Sequence, residues 1–301
     1  MIIPSIYDPG PPAAAAPVQP SMATPKLPPR PNTVLHYKLF TPHNLPLPAG
    51  PLKTAGWKRL TVKFQDQEVI AAILGVCQYG ARIGYCGQRT APTIYPNLPM
   101  VDQNAAIVTQ EIESEMRRGR LEVYLNRASL PRHYTASPLG LTDKSDGSKR
   151  RIHHLSYPTG SAYSINYGIP EEYEAIRYST IEDAIQAVQD LGKGCSFIKG
   201  DFELAFRHVP VSPLDSPLLG FHWENTFYAE CYLPFGLRTA PYLFNLFAEL
   251  FHWGLETQFQ EQNLNAQVIH YLDDFLVVIP GGDSREKYRR IFNDFCSDTE
   301  F

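Results

Sequence analysis

Two adjacent carboxylates, Asp273 and Asp274, stand between two continuous apolar runs, residues 268–272 and 275–279. Flanks this rich in β-branched and aromatic residues predict a hairpin with a buried face. Asp suits turns, so an acidic pair at a hairpin tip has an ordinary structural reading. Two features count against that reading. The turn has neither Gly nor Asn, the usual residues of a two-residue hairpin loop. Adjacent anions beside an apolar strand also repel each other unless a cation lies between them. A third carboxylate, Asp201, ends a strand predicted from residue 195 onward. If that strand lies beside the hairpin, Asp201, Asp273 and Asp274 converge at one edge of a sheet. Three hard oxygen donors with open positions suit Mg²⁺, which is held by a few carboxylates plus substrate phosphates. Two such ions about 4 Å apart can activate a hydroxyl and stabilise a leaving pyrophosphate during in-line displacement. The same spacing would serve a phosphatase or a nuclease.

These side chains need a frame. Thr180-Ile181-Glu182-Asp183 reads as a capping box opening a helix, with Ile181, Ile185 and Val188 expected on its buried face and Gly192 as its stop. The Asp201 strand follows, then a hairpin (218–223 and 226–233), a long apolar helix (239–258), the Asp273-Asp274 hairpin and a last helix from about 283. That order predicts an α+β fold, an antiparallel sheet with helices to one side. Upstream, Val69, Ile70, Ile73, Leu74 and Val76 form a helical stripe ended by Gly80, Gly84 and Gly87. A second helix is expected with Asp102 as its cap, Ala105, Val108, Ile112 and Met116 on one face, and Gly119 at its end. Short strands at 121–124 and 151–155 flank the turn Ser145-Asp146-Gly147. About half of the 27 prolines lie before residue 51, so the first 50 residues read as a disordered Pro-rich tail.

Composition narrows the class. With 301 residues and 44% hydrophobic residues, the chain is long and apolar enough for a substantial core. No run approaches about 18 apolar residues, so no membrane partner is expected. The N-terminus, with Pro4 and Pro9, does not read as a secretory signal. The five cysteines show no CxxC spacing, which points to reduced thiols and an intracellular protein rather than disulfides or zinc. The net charge of −4 is unusual for a nucleic-acid binder. The charge is unevenly spread, however: Arg117, Arg118, Arg120, Arg127, Arg132, Lys144, Lys149, Arg150 and Arg151 form a basic stretch that reads either as a solvated surface or as a phosphate-binding stripe.

Four motifs then occur in one order. Tyr271-Leu272-Asp273-Asp274 resembles the YxDD signature of reverse transcriptases. Asp201-Phe202-Glu203-Leu204-Ala205-Phe206, followed by Val209-Pro210, resembles their first palm motif. Residues 233–241, LPFGLRTAP, with Phe244-Asn245 beyond, resemble a stretch of retrotransposon polymerases. Residues 144–151, KSDGSKRR, resemble the fingers motif that holds the incoming triphosphate. The match covers roughly residues 120–280. Its surroundings (RRIHHLSYP, SINYGIP, EMRRGRL) look most like DIRS-type retrotransposons.

The resemblance implies the fingers and palm of a right-hand polymerase, with an antiparallel palm sheet, packed helices and the thumb missing. Its parts would be a tail over 1–50, a helical region over 51–120, fingers over 121–190 and palm over 191–301, the reverse transcriptase domain covering about 120–301. The implied activity is template-directed DNA synthesis on an RNA or DNA template with a primer, from deoxynucleoside triphosphates, using two Mg²⁺ ions or Mn²⁺ in their place. Asp201, Asp273 and Asp274 would hold the metals. Lys144, Arg151 and Arg150 would grip the triphosphate. Phe206 would exclude a 2′-hydroxyl, Phe235 and Gly236 would line the nucleotide pocket, and Tyr271 would touch the primer. The sequence also departs from the pattern: Leu204 stands where retroviral relatives often carry an acid, and His154 where a relative would carry Asp. A catalytically inactive remnant, or a co-opted nucleic-acid-binding protein on the same fold, is the alternative.

Overall fold

The computed structural model describes residues 39–299 apart from 49, 53, 65, 145, 146 and 175. Most of the expected tail, and Ser145-Asp146 of the expected turn, lie outside the described residues. Within the segment assigned to the tail, Leu39 is fully buried and its carbonyl accepts from Arg82 N, so residues 39–48 belong to the body. The reason is apolar: Leu39 and Phe40 pack on the helix that carries Ile73 and Val76.

The elements run in this order: α1 (Thr54–Thr61), α2 (Gln67–Tyr79), β1 (Thr93–Ile94), α3 (Pro99–Asp102), α4 (Ala105–Arg117), β2 (Leu121–Tyr124), β3 (Thr135–Ala136), β4 (Leu139–Asp143), β5 (Lys149–His153), α5 (Ile181–Leu191), β6 (Ser196–Asp201), β7 (Gly220–Trp223), β8 (Thr226–Glu230), α6 (Ala240–Glu261), β9 (Gln267–Tyr271), β10 (Asp274–Ile279) and α7 (Arg285–Thr299). Asp66 caps α2 by accepting from Glu68 N and Val69 N, and Gly80 closes it at φ 75°. The capping box of α5 is present, with the Thr180 and Asp183 side chains each accepting from the other's backbone N–H. Asp102, expected to cap α4, instead ends α3. Asn104 stands at the N-cap of α4 without a side-chain cap, and Ala105 and Met116 are exposed while Glu115 is buried.

Three strands in the order β6-β10-β9 form an antiparallel sheet. Successive side chains on a strand point to opposite faces, and β10 uses both. Phe275, Val277 and Ile279 enter the main core with Phe251 of α6 and Phe292 of α7. Leu276 and Val278 face the other way and pack with Ala187, Val188 and Leu191 of α5. Helices thus cover both faces of this sheet, not one as the element order suggested. Ile181 and Ile185 are 73% and 51% exposed instead of buried, because α5 meets the sheet through Ala187 and the stripe holding both isoleucines turns off the contact. Gly200 lets α7 approach the sheet: a Cβ there would lie 2.6 Å from the Phe292 ring.

The β7–β8 hairpin does not join this sheet. It lies in a five-stranded sheet, β1-β3-β7-β8-β2, in which β3 pairs in parallel with both β1 and β7. The division at residue 190 is therefore not a structural boundary, since residues 220–230 pair with strands from the region before it. Hairpin β4–β5 stands as a separate pair.

A buried ion network joins these parts. Arg207, in the 3₁₀ turn after β6, donates through Nε to Glu115 Oε2 of α4 at 2.9 Å, and its Nη2 lies 2.7 Å from Glu230 Oε2 of β8. Arg151 Nη2 of β5 reaches Glu230 Oε1 at 3.0 Å. Burial alone would push the Glu230 carboxyl up, but the guanidinium groups of Arg207 and Arg151 outweigh it and hold it below the usual range. Removing one member of such a set leaves an uncompensated buried charge, which costs about 3–5 kcal/mol. Glu230→Ala is thus expected to lose about that much in urea unfolding, whereas Glu113→Ala, which breaks the exposed pair with Arg117, changes stability by under about 1 kcal/mol. A small effect of Glu230→Ala would show that the network is dispensable.

The same region sets a pH dependence. Burial holds the His153 imidazole down to about 4, against about 6.5 in an unfolded chain. As pH falls from about 6.5 towards 4, the unfolded chain binds a proton that folded His153 does not, so stability falls across that window. His153→Gln is expected to flatten part of this fall in urea midpoint; an unchanged slope would contradict the assignment.

Candidate active site

Register brings the first and last carboxylates together. Asp274 of β10 pairs directly with Asp201 of β6 on one side and with Tyr271 of β9 on the other. Directly paired residues project on the same face of an antiparallel sheet. Tyr271, Asp274 and Asp201 therefore form one row across three strands, about 4.8 Å apart from strand to strand. Asp273 sits in the two-residue turn between β9 and β10, and its carbonyl accepts from Phe202 N at 3.2 Å, tying the turn to the end of β6. The turn requires a left-handed residue where glycine would be at ease, and Leu272 occupies it at φ 53°. A non-glycine residue there costs about 1–2 kcal/mol, strain of the kind stored at functional turns.

The sequence reading missed Lys199. It lies two residues before Asp201, on the same face of β6, and its Nζ contacts Asp274 Oδ1 at 2.9 Å. That contact, and the charges of Asp201 and Asp273 behind it, push the ammonium pKa up. The signal was legible: a Lys at i−2 on a strand shares the face of the carboxylate that follows it. Burial pushes the Asp273 carboxyl up, and the charges of Asp201 and Asp274 push the same way. Among the described residues no three His, Cys, Asp or Glu side chains are gathered closely enough to hold an ion as they stand. The donor chemistry nevertheless fits a hard divalent cation, because three carboxylates repel one another here and Lys199 offsets one charge only.

Beside this row lies a cleft of about 340 Å³ whose lining includes Lys144, Arg150, Glu203, Leu204 and Phe235. It begins two residues beyond Asp201. Lys144 is exposed at the end of β4. The Arg150 guanidinium sits 4.2 Å from the centre of the Phe235 ring, and its Nε is buried with no hydrogen-bond partner among the described residues. Arg151 is different. It also lines the cleft, but its guanidinium is paired with Glu230 and lies 4.6 Å from the centre of the Phe221 ring, so it braces the fold from within the cleft wall. Alternation along β5 separates the two arginines.

Phe206 is half-buried, its ring 5.3 Å from Phe235 and 5.9 Å from Phe244, so it backs the cleft wall. Gly236, at φ 102°, serves a different contact from the one expected: a Cβ would lie 2.2 Å from the His153 carbonyl oxygen. Its small size lets the 233–236 turn press against β5, where His153 N donates to Phe235 O. Asn166, also missed, holds this turn by donating to Gly236 O at 2.8 Å and accepting from Arg238 N at 2.9 Å. The basic stretch is largely compensated: Arg117 pairs with Glu113, Arg118 and Arg120 with Glu115, Lys149 with Asp143 and Arg151 with Glu230.

The two arginines can be separated by experiment. Arg150→Ala is expected to weaken tripolyphosphate binding about tenfold, a loss in the range of one charge-assisted hydrogen bond, with an unchanged thermal midpoint. Arg151→Ala is expected to lower the midpoint by removing a buried partner of Glu230. Thermal melts and calorimetric titration of both variants check this, and the reverse pattern would restore Arg151 as the phosphate ligand.

Residues 163–301 match the family described as Reverse transcriptase (RNA-dependent DNA polymerase). The foamy viral protease-reverse transcriptase dRH in complex with double-stranded DNA aligns with a TM-score of 0.51 at 14% identity, over 86% of this chain and 44% of that one. The foamy viral protease-reverse transcriptase in complex with an RNA/DNA hybrid gives 0.49 at 15% identity, over 86% and 34%. No curated protein sequence matches the chain. The likeness to the first structure is one of fold, and the chain spans less than half the length of either. The mixed α+β architecture is similar to that of the foamy viral enzyme, and the residues that match the reverse transcriptase family, 163–301, carry both aspartate motifs.

Proposed function

We propose that the chain carries out template-directed DNA synthesis on an RNA or DNA template, extending a primer with deoxynucleoside triphosphates. The observation that supports this most is the paired register of Asp201 and Asp274, with Asp273 in the adjoining turn, beside a cleft carrying Lys144 and Arg150. Asp201 and Asp273 would hold divalent metal, Mg²⁺ or Mn²⁺, with Asp274 steadied by Lys199. The bound ions would supply Lewis acidity for hydroxyl attack and for the departing pyrophosphate. Arg150 and Lys144 would receive the triphosphate, the first as a stacked planar donor and the second as a mobile point charge. Phe235, with Phe206 behind it, forms the wall against which the sugar would rest. Tyr271, in the carboxylate row and half exposed, would meet the terminal base pair of the primer. The motif wording favours a retrotransposon origin of DIRS type.

Primer extension with Mg²⁺ or Mn²⁺ tests the proposal. Asp201→Asn and Asp273→Asn are each expected to cut extension at least about 10²-fold, the scale on which loss of one electrostatic group at a transition state is felt. Chelation of the metal should abolish extension. Undiminished extension by either variant would remove that aspartate from the metal site, and no extension by the unaltered chain under any metal would overturn the assignment of activity.

A further inference from the structure

Tyr271 is stacked on a residue from a different element. Its ring centroid lies 4.7 Å from that of Tyr178, with the planes 29° from parallel. Tyr271 remains 52% exposed, and neither ring belongs to the packed core, so the pair is not needed to fill it. Tyr178 lies two residues before Thr180, the N-cap of α5. That cap is tight: Thr180 N donates to Asp183 Oδ2 at 2.7 Å. At its other end α5 is fixed to the same strand that carries Tyr271, where Gln267 Nε2 donates to Asp190 Oδ2 at 3.4 Å. Helix α5 therefore lies along β9, with its capped start beside the turn that holds Asp273.

An exposed tyrosine at the end of a strand has more than one common rotamer. Tyr271 is followed by the left-handed Leu272, so no continuing strand restricts its ring. A stacking partner biases that choice by up to about tenfold. We infer that Tyr178 is a positioning residue, holding Tyr271 in the orientation that seats a primer's terminal nucleotide against the Asp274–Asp201 row. This rests on the polymerase reading of the site. Affinity for a duplex comes mostly from its phosphates and does not depend on the stack. Placement of the terminal hydroxyl does, and misplacement by about 1 Å costs up to about 100-fold in rate.

The test uses the full chain and a primer–template carrying 2-aminopurine at the primer 3′ end. Its fluorescence reports stacking of the terminal base without any need for catalysis. The unaltered protein is expected to change the signal at least about twofold, and Tyr271→Ala to lose that change. Tyr178→Ala and Tyr178→Leu should lose most of it, while Tyr178→Phe, which keeps the ring, restores it. Duplex affinity by anisotropy should stay within about twofold throughout. In extension assays Tyr178→Ala should be about tenfold slower, and the Tyr178→Ala/Tyr271→Ala double variant no slower than Tyr271→Ala alone, because the two act as one unit. A retained signal in Tyr178→Leu, or additive losses in the double variant, would overturn the inference. A flat signal from the unaltered protein together with extension lost in Asp201→Asn would sink the inference and leave the polymerase reading standing. The full fluorescence pattern without extension by the unaltered protein would overturn the polymerase reading and leave of the inference only the seating of the terminal base by the Tyr178–Tyr271 stack.

Discussion

Arg207 has almost no exposure to water, and a guanidinium in that position must be neutralised inside the protein. Glu115 and Glu230 do this from two other elements, and Glu230 is shared with Arg151 from a third. The position of Arg207 in sequence gives the network its reach. It lies six residues after Asp201, in the turn leaving the strand that carries that aspartate. The same side chain that satisfies α4 and β8 therefore fixes how the carboxylate sheet sits against the five-stranded sheet and the β4–β5 hairpin. Buried ion sets of this kind add little net stability over an apolar substitute. Here the network joins parts of the chain that have to keep a common geometry around the cleft.

The cleft inherits that geometry. Its basic and aromatic wall comes from β5 and the 233–236 turn, and its floor begins at Glu203 and Leu204, just past Asp201. Gly236 is where the wall is fastened, because only a residue without a side chain can pass the His153 carbonyl so closely. Arg151 turns inward to the network while Arg150 turns outward to Phe235. One strand thus gives neighbouring arginines different partners, a buried glutamate for one and an aromatic ring for the other.

The carboxylate row is a place of unresolved repulsion. Asp201, Asp273 and Asp274 share one edge, Lys199 answers one of them, and Leu272 holds a strained backbone in the turn between the strands. Each of these is unfavourable for the folded chain alone, and each becomes reasonable if a cation and an anionic substrate enter together. The surrounding core supports the arrangement, with Phe275, Val277 and Ile279 below and Leu276 and Val278 under α5.

Local signals were enough for much of this. The capping box at Thr180, the apolar flanks of Asp273-Asp274 and the strand ending at Asp201 are written in short windows of sequence, and so is the motif order that resembles reverse transcriptases. Period-two alternation would also have exposed Lys199, had it been applied backwards from Asp201. What the sequence left open were relations between distant segments. Arg150 and Arg151 both line the cleft, and the difference between them depends on a glutamate 79 residues away that engages the Arg151 guanidinium. The β7–β8 hairpin chooses its sheet by pairing with β2 and β3, strands that precede it by far, and α5 leaves Ile181 and Ile185 in solvent because its contact with β10 runs through Ala187. Tyr178 and Tyr271 stack across more than ninety intervening residues. Propensity, capping and alternation act over a few residues, so sequence alone determined most of the elements and which carboxylates stand at their ends. Charge neutralisation, strand register and the fit of one face on another act across the whole chain, and only the tertiary structure decided which side chains meet.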